Sequence, residues 1–290
     1  MVAGARSLYD STRQTLEKPR ENPMHPVLVE IFGMRVPTFG TLLAIAFPTA
    51  IFIAAYLIQK SGVPFGRMVD FGFGVAIAGE IGARATYFIV EFDRFAEGAI
   101  SFKQFMVAGR VVLGGVAAAF ICGLWLSSRI VRDFKVDRAA MADAGFTGTA
   151  MGMAIGRLGC FMNGCCYGAE TDMAWGVTFT DPHAHQFAGT PLGVSLHPTQ
   201  LLQAGEGLLV FTVCLIALHR SKYLGLAAGL FWVVGGISRF SIEYLRADDR
   251  GNWLFGFTTS QWIAIVGVLV GSAWIAYAYG KLKTIPAWKR

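Results

Sequence analysis

Seven predominantly apolar stretches, at about 39–59, 68–90, 109–127, 140–163, 199–219, 223–242 and 260–280, succeed one another along the chain. Each holds the roughly 20 residues that a helix needs to cross the hydrocarbon core of a bilayer. The pattern predicts an all-α polytopic membrane protein of about seven transmembrane helices. The polar links between the stretches are of two kinds. One kind is basic, with Lys60 and Arg67, then Arg129, Arg132, Lys135 and Arg138, then Arg220 and Lys222, and the tail adds Lys281, Lys283, Lys289 and Arg290. The other is not: 91–108 sets Glu91, Asp93 and Glu97 against Arg94 and Lys103, and 164–198 carries Glu170, Asp172 and Asp181 with no Lys or Arg. Lys and Arg gather in cytoplasmic links, so the N-terminus is expected outside and the C-terminus in the cytoplasm.

This topology divides the chain into an N-terminal tail and outer lead-in (1–38), a transmembrane domain (39–280) and a basic cytoplasmic tail (281–290). Within the second part, residues 164–198 form a small outer cap, and the alternation from Ala174 to Thr180 predicts a short strand there. Composition agrees with the membrane assignment. Hydrophobic residues make up 54% of the chain and charged residues only 15%, with a mean hydropathy of +0.50, which excludes an ordinary soluble domain. The net charge of +6 is spread between apolar runs and forms no basic, aromatic-interleaved patch, so no nucleic acid partner is expected. Residues 1–23 carry Arg6, Arg13, Lys18 and Arg20 without an apolar core, unlike a cleavable signal peptide, and Met24-His25-Pro26 reads as a more natural start.

Fixing the topology fixes the depth of each ionisable residue. Arg84 and Tyr87 fall in the outer half of the second stretch, and Arg157 falls near the outer end of the fourth. The sixth delivers Arg239, Glu243 and Arg246, spaced to share one helical face, and the fifth begins with His197-Pro198-Thr199-Gln200. Intramembrane charges are costly and usually face the bundle interior. Three arginines reaching one leaflet from three helices therefore point to an anionic ligand, with a phospholipid headgroup as the natural candidate, because guanidinium donates paired hydrogen bonds to phosphate. The plainer alternative is that they snorkel to the headgroups or pair with Glu80, Glu91 and Glu243. Gly148, Gly152 and Gly156 recur every four residues and read as a packing stripe. His183, His185 and His197 lack a surrounding tetrahedral set, so neither metal nor cofactor is expected.

Taken together, these stretches resemble the prolipoprotein diacylglyceryl transferases. Residues 156–168 resemble that family's Gly-Arg-x-Gly-Asn-Phe-x-Asn-Gly-Glu-x-x-Gly signature, His197 to Gln200 its His-Pro-Ser-Gln, and Arg239 to Arg246 its Arg-Phe-x-x-Glu-x-x-Arg. Met24-His25-Pro26 and Phe39-Gly40 resemble its opening Met-His-Pro and the Tyr-Gly that follows, and the order of motifs is kept over about 24–280. The resemblance implies transfer of the diacylglyceryl group of phosphatidylglycerol to the lipobox cysteine of a prolipoprotein signal peptide, at the outer face of a bacterial inner membrane. It implies that Arg157 and Arg239 act catalytically on the phosphate, that Glu243 orients Arg239, and that Asn163 and Gln200 hydrogen-bond the headgroup. Phe39, Arg84, Tyr87, Gly168, His197 and Arg246 are the remaining substrate-binding candidates.

The sequence departs from the pattern at particular positions. Leu113 stands where the family often places a histidine before a Gly-Gly pair, Gly235 where it has a tyrosine, Phe39 where it has the early tyrosine, and Cys160 and Cys165 where it has an asparagine and a glutamate. That paired replacement, beside an oxidising compartment, leaves two readings open: a disulfide from Cys160 to Cys165, with Cys166 as competing partner, or three small free thiols. Two further functions remain alongside the transferase: a relative that binds an anionic phospholipid without transferring it to protein, and an anion transporter.

Overall fold

The structure, a computed structural model, describes residues 24–99, 101, 105, 111–248 and 254–281. The tail arginines before Met24 and the final basic residues from Lys283 onward lie outside the described residues. The chain opens with a hairpin of β1 (Val27–Ile31) and antiparallel β2 (Met34–Pro37), where the sequence reading had only a lead-in. Phe32 and Gly33, both at positive φ (50° and 76°), turn the chain between the strands. Thr38 ties the hairpin to the first helix by donating its hydroxyl to the carbonyl of His25.

Among the described residues seven long helices follow: α1 (Thr38–Ile58), α2 (Phe65–Val90), α4 (Val112–Phe134), α5 (Arg138–Asn163), α7 (Thr199–Arg220), α8 (Leu226–Glu243) and α9 (Thr259–Lys281). The short α3 (Phe92–Ala96) follows α2, and α6 (Pro182–Ala188) lies between β3 (Val177–Thr178) and β4 (Ser195–Leu196). Six of the long helices are apolar and long enough to cross a membrane; α5 is not among them. Its position explains the exception. It packs against α1, α7 and α8, so its surface meets protein and can be built from Gly, Ala and polar residues instead of lipid-facing side chains.

Small residues set these approaches. A Cβ on Gly148 would fall 2.2 Å from the carbonyl oxygen of Ala50, and one on Gly152 3.0 Å from the Cβ of Ala50, so the stripe packs α5 on α1 as expected. On α7, a Cβ at Gly207 would fall 2.8 Å from the backbone nitrogen of Ala154. Asp143, buried in α5, holds the other neighbour: its carboxylate accepts from the backbone N–H of Gly225 (2.7 Å) and Ala228 (2.8 Å). Those groups open α8 and have no partner inside that helix, so one side chain caps it and fixes its depth against α5. A separate pair, α2 and α4, packs closely through Gly82 and Gly115 and joins the bundle chiefly where α2 meets α1. α4 runs on through Phe134, which puts Arg129 and Arg132 on the helix and not in a link.

The segment 164–198 folds over the end of α5. The strand expected over 174–180 shrinks to Val177–Thr178, paired with Ser195–Leu196. Phe179, Ala184 and Leu196 make a small core with Met24 and Phe161, so the cap sits on the end of α5. A backbone bridge from Gly168 to Arg246, and the bond from Ala169 N–H to the Leu245 carbonyl (2.8 Å), fasten it to the turn that follows α8.

Candidate active site at the cap end of the bundle

A cavity of about 300 Å³ opens between α5, α7, α8 and α9. Arg157, Glu206, Arg239 and Ser260 line it nearest the cap, each from a different helix. Ala150, Val210, Trp232 and Gly267, one to two turns farther along the same helices, make the rest of its wall apolar. The cavity is thus charged at one end and oily along its length. Gly235 contributes to the opening: a Cβ there would meet only Val210, at 3.7 Å, whereas one on Gly236 would fall 2.8 Å from the Ala264 carbonyl oxygen. One glycine leaves space for a ligand; its neighbour lets α8 touch α9.

Arg239 is held by partners on α8 and α9. Its Nη2 lies 2.7 Å from Glu243 Oε2 and donates to Ser260 Oγ at 3.1 Å. Glu243, buried in turn, accepts from Thr258 Oγ1 at 2.9 Å and faces Arg246 Nε at 3.9 Å. α8 ends at Glu243, so Arg246 does not extend its helical face as the spacing suggested. It comes in from the following turn, where the bridge to Gly168 holds it and Asp248 pairs with its Nε (2.8 Å) and Nη2 (2.7 Å). Gly168 is required there, since a Cβ would fall 2.5 Å from the His197 carbonyl oxygen.

On the other side of Arg157 lie the cysteines. They are thiols outside any disulfide, and the sulfurs of Cys160, Cys165 and Cys166 stand within 4.8 Å of one another. Arg157 Nη1 reaches Cys166 Sγ at 3.9 Å. Hydrogen bonds from the Cys160 and Cys165 thiols, and then from Arg246, hold the Cys166 thiol below its ordinary range. The first residues of α7 grip this loop: Gln200 Nε2 donates to the Cys165 carbonyl (2.8 Å) and Thr199 Oγ1 to the Cys166 carbonyl (2.7 Å).

Several expected ligand residues also make contacts within the protein, although the buried Gln200 Oε1 and His197 Nδ1 meet no hydrogen-bond partner among the described residues. Gln200 is buried against Cys165, and Asn163 Oδ1 meets His183 Nε2 at 3.2 Å. His197 is tied by its N–H to the Ala169 carbonyl, and Phe39 lies against the backbone at Gly159. Arg84 and Tyr87 are not brought to the cavity. Arg84 pairs with Glu80 on its own helix (2.7 Å), and Tyr87 contacts the ring of Phe105. Leu113 is exposed on α4. Sequence reasoning missed Glu206, because a single glutamate inside an apolar stretch carries no motif. The signal available was its cost: a lone carboxylate in a membrane helix faces a partner or a cavity.

Residues 26–277 match the family model described as prolipoprotein diacylglyceryl transferase. The chain belongs to the prolipoprotein diacylglyceryl transferase family. It is 29% identical over 256 residues to a phosphatidylglycerol–prolipoprotein diacylglyceryl transferase of Clostridium tetani, covering 86% of this chain and 95% of that one. It is 30% identical over 271 residues to one numbered 2 from Clostridium perfringens, covering 90% and 97%. A Vibrio vulnificus protein of the same name is 30% identical over 263 residues, covering 88% and 91%. The match covers the cap and nearly all of the helical bundle, including every residue that lines the cavity.

Proposed function

We propose that this protein transfers the diacylglyceryl group of phosphatidylglycerol to the lipobox cysteine of a prolipoprotein, the activity that its relatives' names carry. The observation that supports it most is the convergence of Arg157 and Arg239, from separate helices, on a cavity whose remaining wall is apolar. Phosphate fits between the guanidiniums, which donate to its oxygens and stay charged in a poorly hydrated site. The acyl chains follow the wall past Val210, Phe231 and Trp232.

The acceptor sulfur attacks the glyceryl carbon that bears the phosphate ester oxygen. An S–C bond forms, the C–O bond breaks, and its electron pair leaves with glycerol phosphate, whose growing charge the two arginines stabilise. Glu243 keeps Arg239 extended toward the cavity by the 2.7 Å ion pair. Glu206, which faces both arginines, takes the thiol proton and passes it to the leaving phosphate. Asn163, Gln200, Gly168, His197 and Arg246 act as positioning residues by fixing the cap and the cysteine loop. The cap end faces the outside of a bacterial inner membrane, with the N-terminus out and the C-terminus in the cytoplasm, as the distribution of Lys and Arg supports.

Expression in a bacterial strain depleted of its own transferase tests the proposal. A reporter lipoprotein regains its diacylglyceryl group if the reading is right. An unmodified reporter, with the protein correctly inserted, refutes it and favours lipid binding without transfer.

A further inference from the structure

Arg157 divides two chemical environments: the cavity suited to a phospholipid on one side, and three sulfurs on the other. The second has no role in holding phosphate. From this juxtaposition we infer that Cys160, Cys165 and Cys166 bind a zinc ion whose open fourth position receives the acceptor cysteine thiol. The inference rests on the transferase reading above for the identity of that acceptor.

The geometry favours a shared metal. Three sulfurs bound tetrahedrally at about 2.3 Å from one ion stand about 3.8 Å apart. The three Sγ atoms already lie within 4.8 Å of one another, so rotation of the thiols closes the set. A disulfide would use two of them and leave the third over. The cluster is also pre-set. Cys160 is on the last turn of α5, Cys166 holds a positive φ of 62°, and Thr199 and Gln200 fix the intervening backbone through the carbonyls of Cys166 and Cys165. Three thiolates around a divalent cation leave one net negative charge, and Arg157 and Arg246 stand beside Cys166 to offset it.

The chemistry matches the reaction. Catalytic zinc sites keep three protein ligands and one open position, and a coordinated thiol loses its proton yet remains a nucleophile. Bound there, the acceptor sulfur stands next to Arg157, and hence next to a phosphate held by Arg157. Zinc held by the three cysteines would acidify the acceptor thiol; its thiolate would form the S–C bond, and glycerol phosphate would depart with the C–O electron pair and take up the thiol's proton. The thioether product is a poor ligand and leaves. Zinc undergoes no redox change, and no other reactant is required. This assigns a task to the two positions where cysteine replaces the asparagine and glutamate of the related signature, in a chain that has Leu113 in place of the usual histidine.

Cobalt(II) serves as the spectroscopic probe. The full-length protein in detergent, reduced and freed of metal, is titrated with cobalt. One equivalent should bind with thiolate-to-metal charge-transfer absorption, and a peptide containing a lipobox cysteine should shift the cobalt bands while its serine analogue does not. Cys165→Ser should weaken binding by at least about a hundredfold, and Cys122→Ser, on α4 away from the cluster, should not. The double variant Cys160→Asn, Cys165→Glu restores the related signature and should fold without the charge-transfer band. Absence of that band in protein whose three thiols all react with iodoacetamide would overturn the proposal. So would a disulfide among them in protein taken from the membrane without reductant. Full-rate transfer by the chelated protein also defeats the zinc site while leaving the transferase reading intact. A peptide-sensitive cobalt spectrum without any thioether product, even with zinc restored, upholds the site and defeats the transferase reading.

Discussion

Two arginine–glutamate pairs in this protein have the same length and spacing and different fates. Arg84 and Glu80 on α2, and Arg239 and Glu243 on α8, each stand four residues apart at 2.7 Å. The Glu80 side chain is 45% exposed and that of Glu243 only 2%. Around Glu243 gather Thr258, Arg246 and, through Arg239, Ser260, so three elements converge on it. Among the described residues, the α2 pair belongs to a two-helix unit that joins the bundle chiefly where α2 meets α1. An i,i+4 pair on an exposed helix face contributes a few tenths of a kcal/mol. Only enclosure by other helices makes the same pair a device for aiming a cation into a cavity.

The contrast is sharpest when one arginine is removed from each region. Arg239→Ala should lower transfer by about a hundred- to a thousandfold, the ~3–4 kcal/mol expected for losing one donor to a developing oxyanion. Arg84→Ala should keep transfer within a few-fold of the parent. Equal losses in lipidation assays on the two purified variants would dissolve the distinction between the regions. Removing the acids instead reads stability. Glu243→Gln leaves the partly buried Arg239 and the buried side chain of Arg246 without that counter-charge and should cost about 3 kcal/mol of stability, whereas Glu80→Gln should cost a few tenths. Thermal unfolding of both in the same detergent makes the comparison.

Glu206→Gln probes the proton rather than the phosphate. The rate near neutral pH should fall by about a hundredfold and recover as pH rises past ~8.5, where an unperturbed acceptor thiol ionises unaided. A uniform loss across the pH range would assign Glu206 a structural part. The smallest effect separates adjacent glycines. Gly236→Ala should cost ~1–3 kcal/mol through overpacking against Ala264 and Val268, and Gly235→Ala less than about 0.5 kcal/mol. Similar unfolding temperatures for both would contradict the described contact between α8 and α9.

A bundle of about seven long helices, the close packing of Gly148 and Gly152, and the positions of the arginines on α5 and α8 were legible because apolar length and small-residue spacing are local signals. The 27–37 hairpin was also local, yet it was hidden by its position ahead of the first apolar run. What escaped was set by partners distant in sequence. Asp143 caps a helix more than eighty positions onward, with nothing nearby to reveal it. Depth placed Arg84 level with the other arginines, but depth does not say which helices are neighbours, and α2 lies across α1 from the cavity. Arg246 kept helical spacing after the helix had ended, so its true support, the bridge to Gly168, was invisible to periodicity.

The central claim, that the charged cavity catalyses diacylglyceryl transfer to a thiol, is tested most directly by mass spectrometry. The purified protein is incubated with phosphatidylglycerol vesicles and a synthetic lipobox peptide. The account predicts a peptide heavier by one diacylglyceryl group in thioether linkage to its cysteine, with glycerol phosphate released in equal amount. Unmodified peptide, recovered from protein that is folded and holds phosphatidylglycerol, would contradict it.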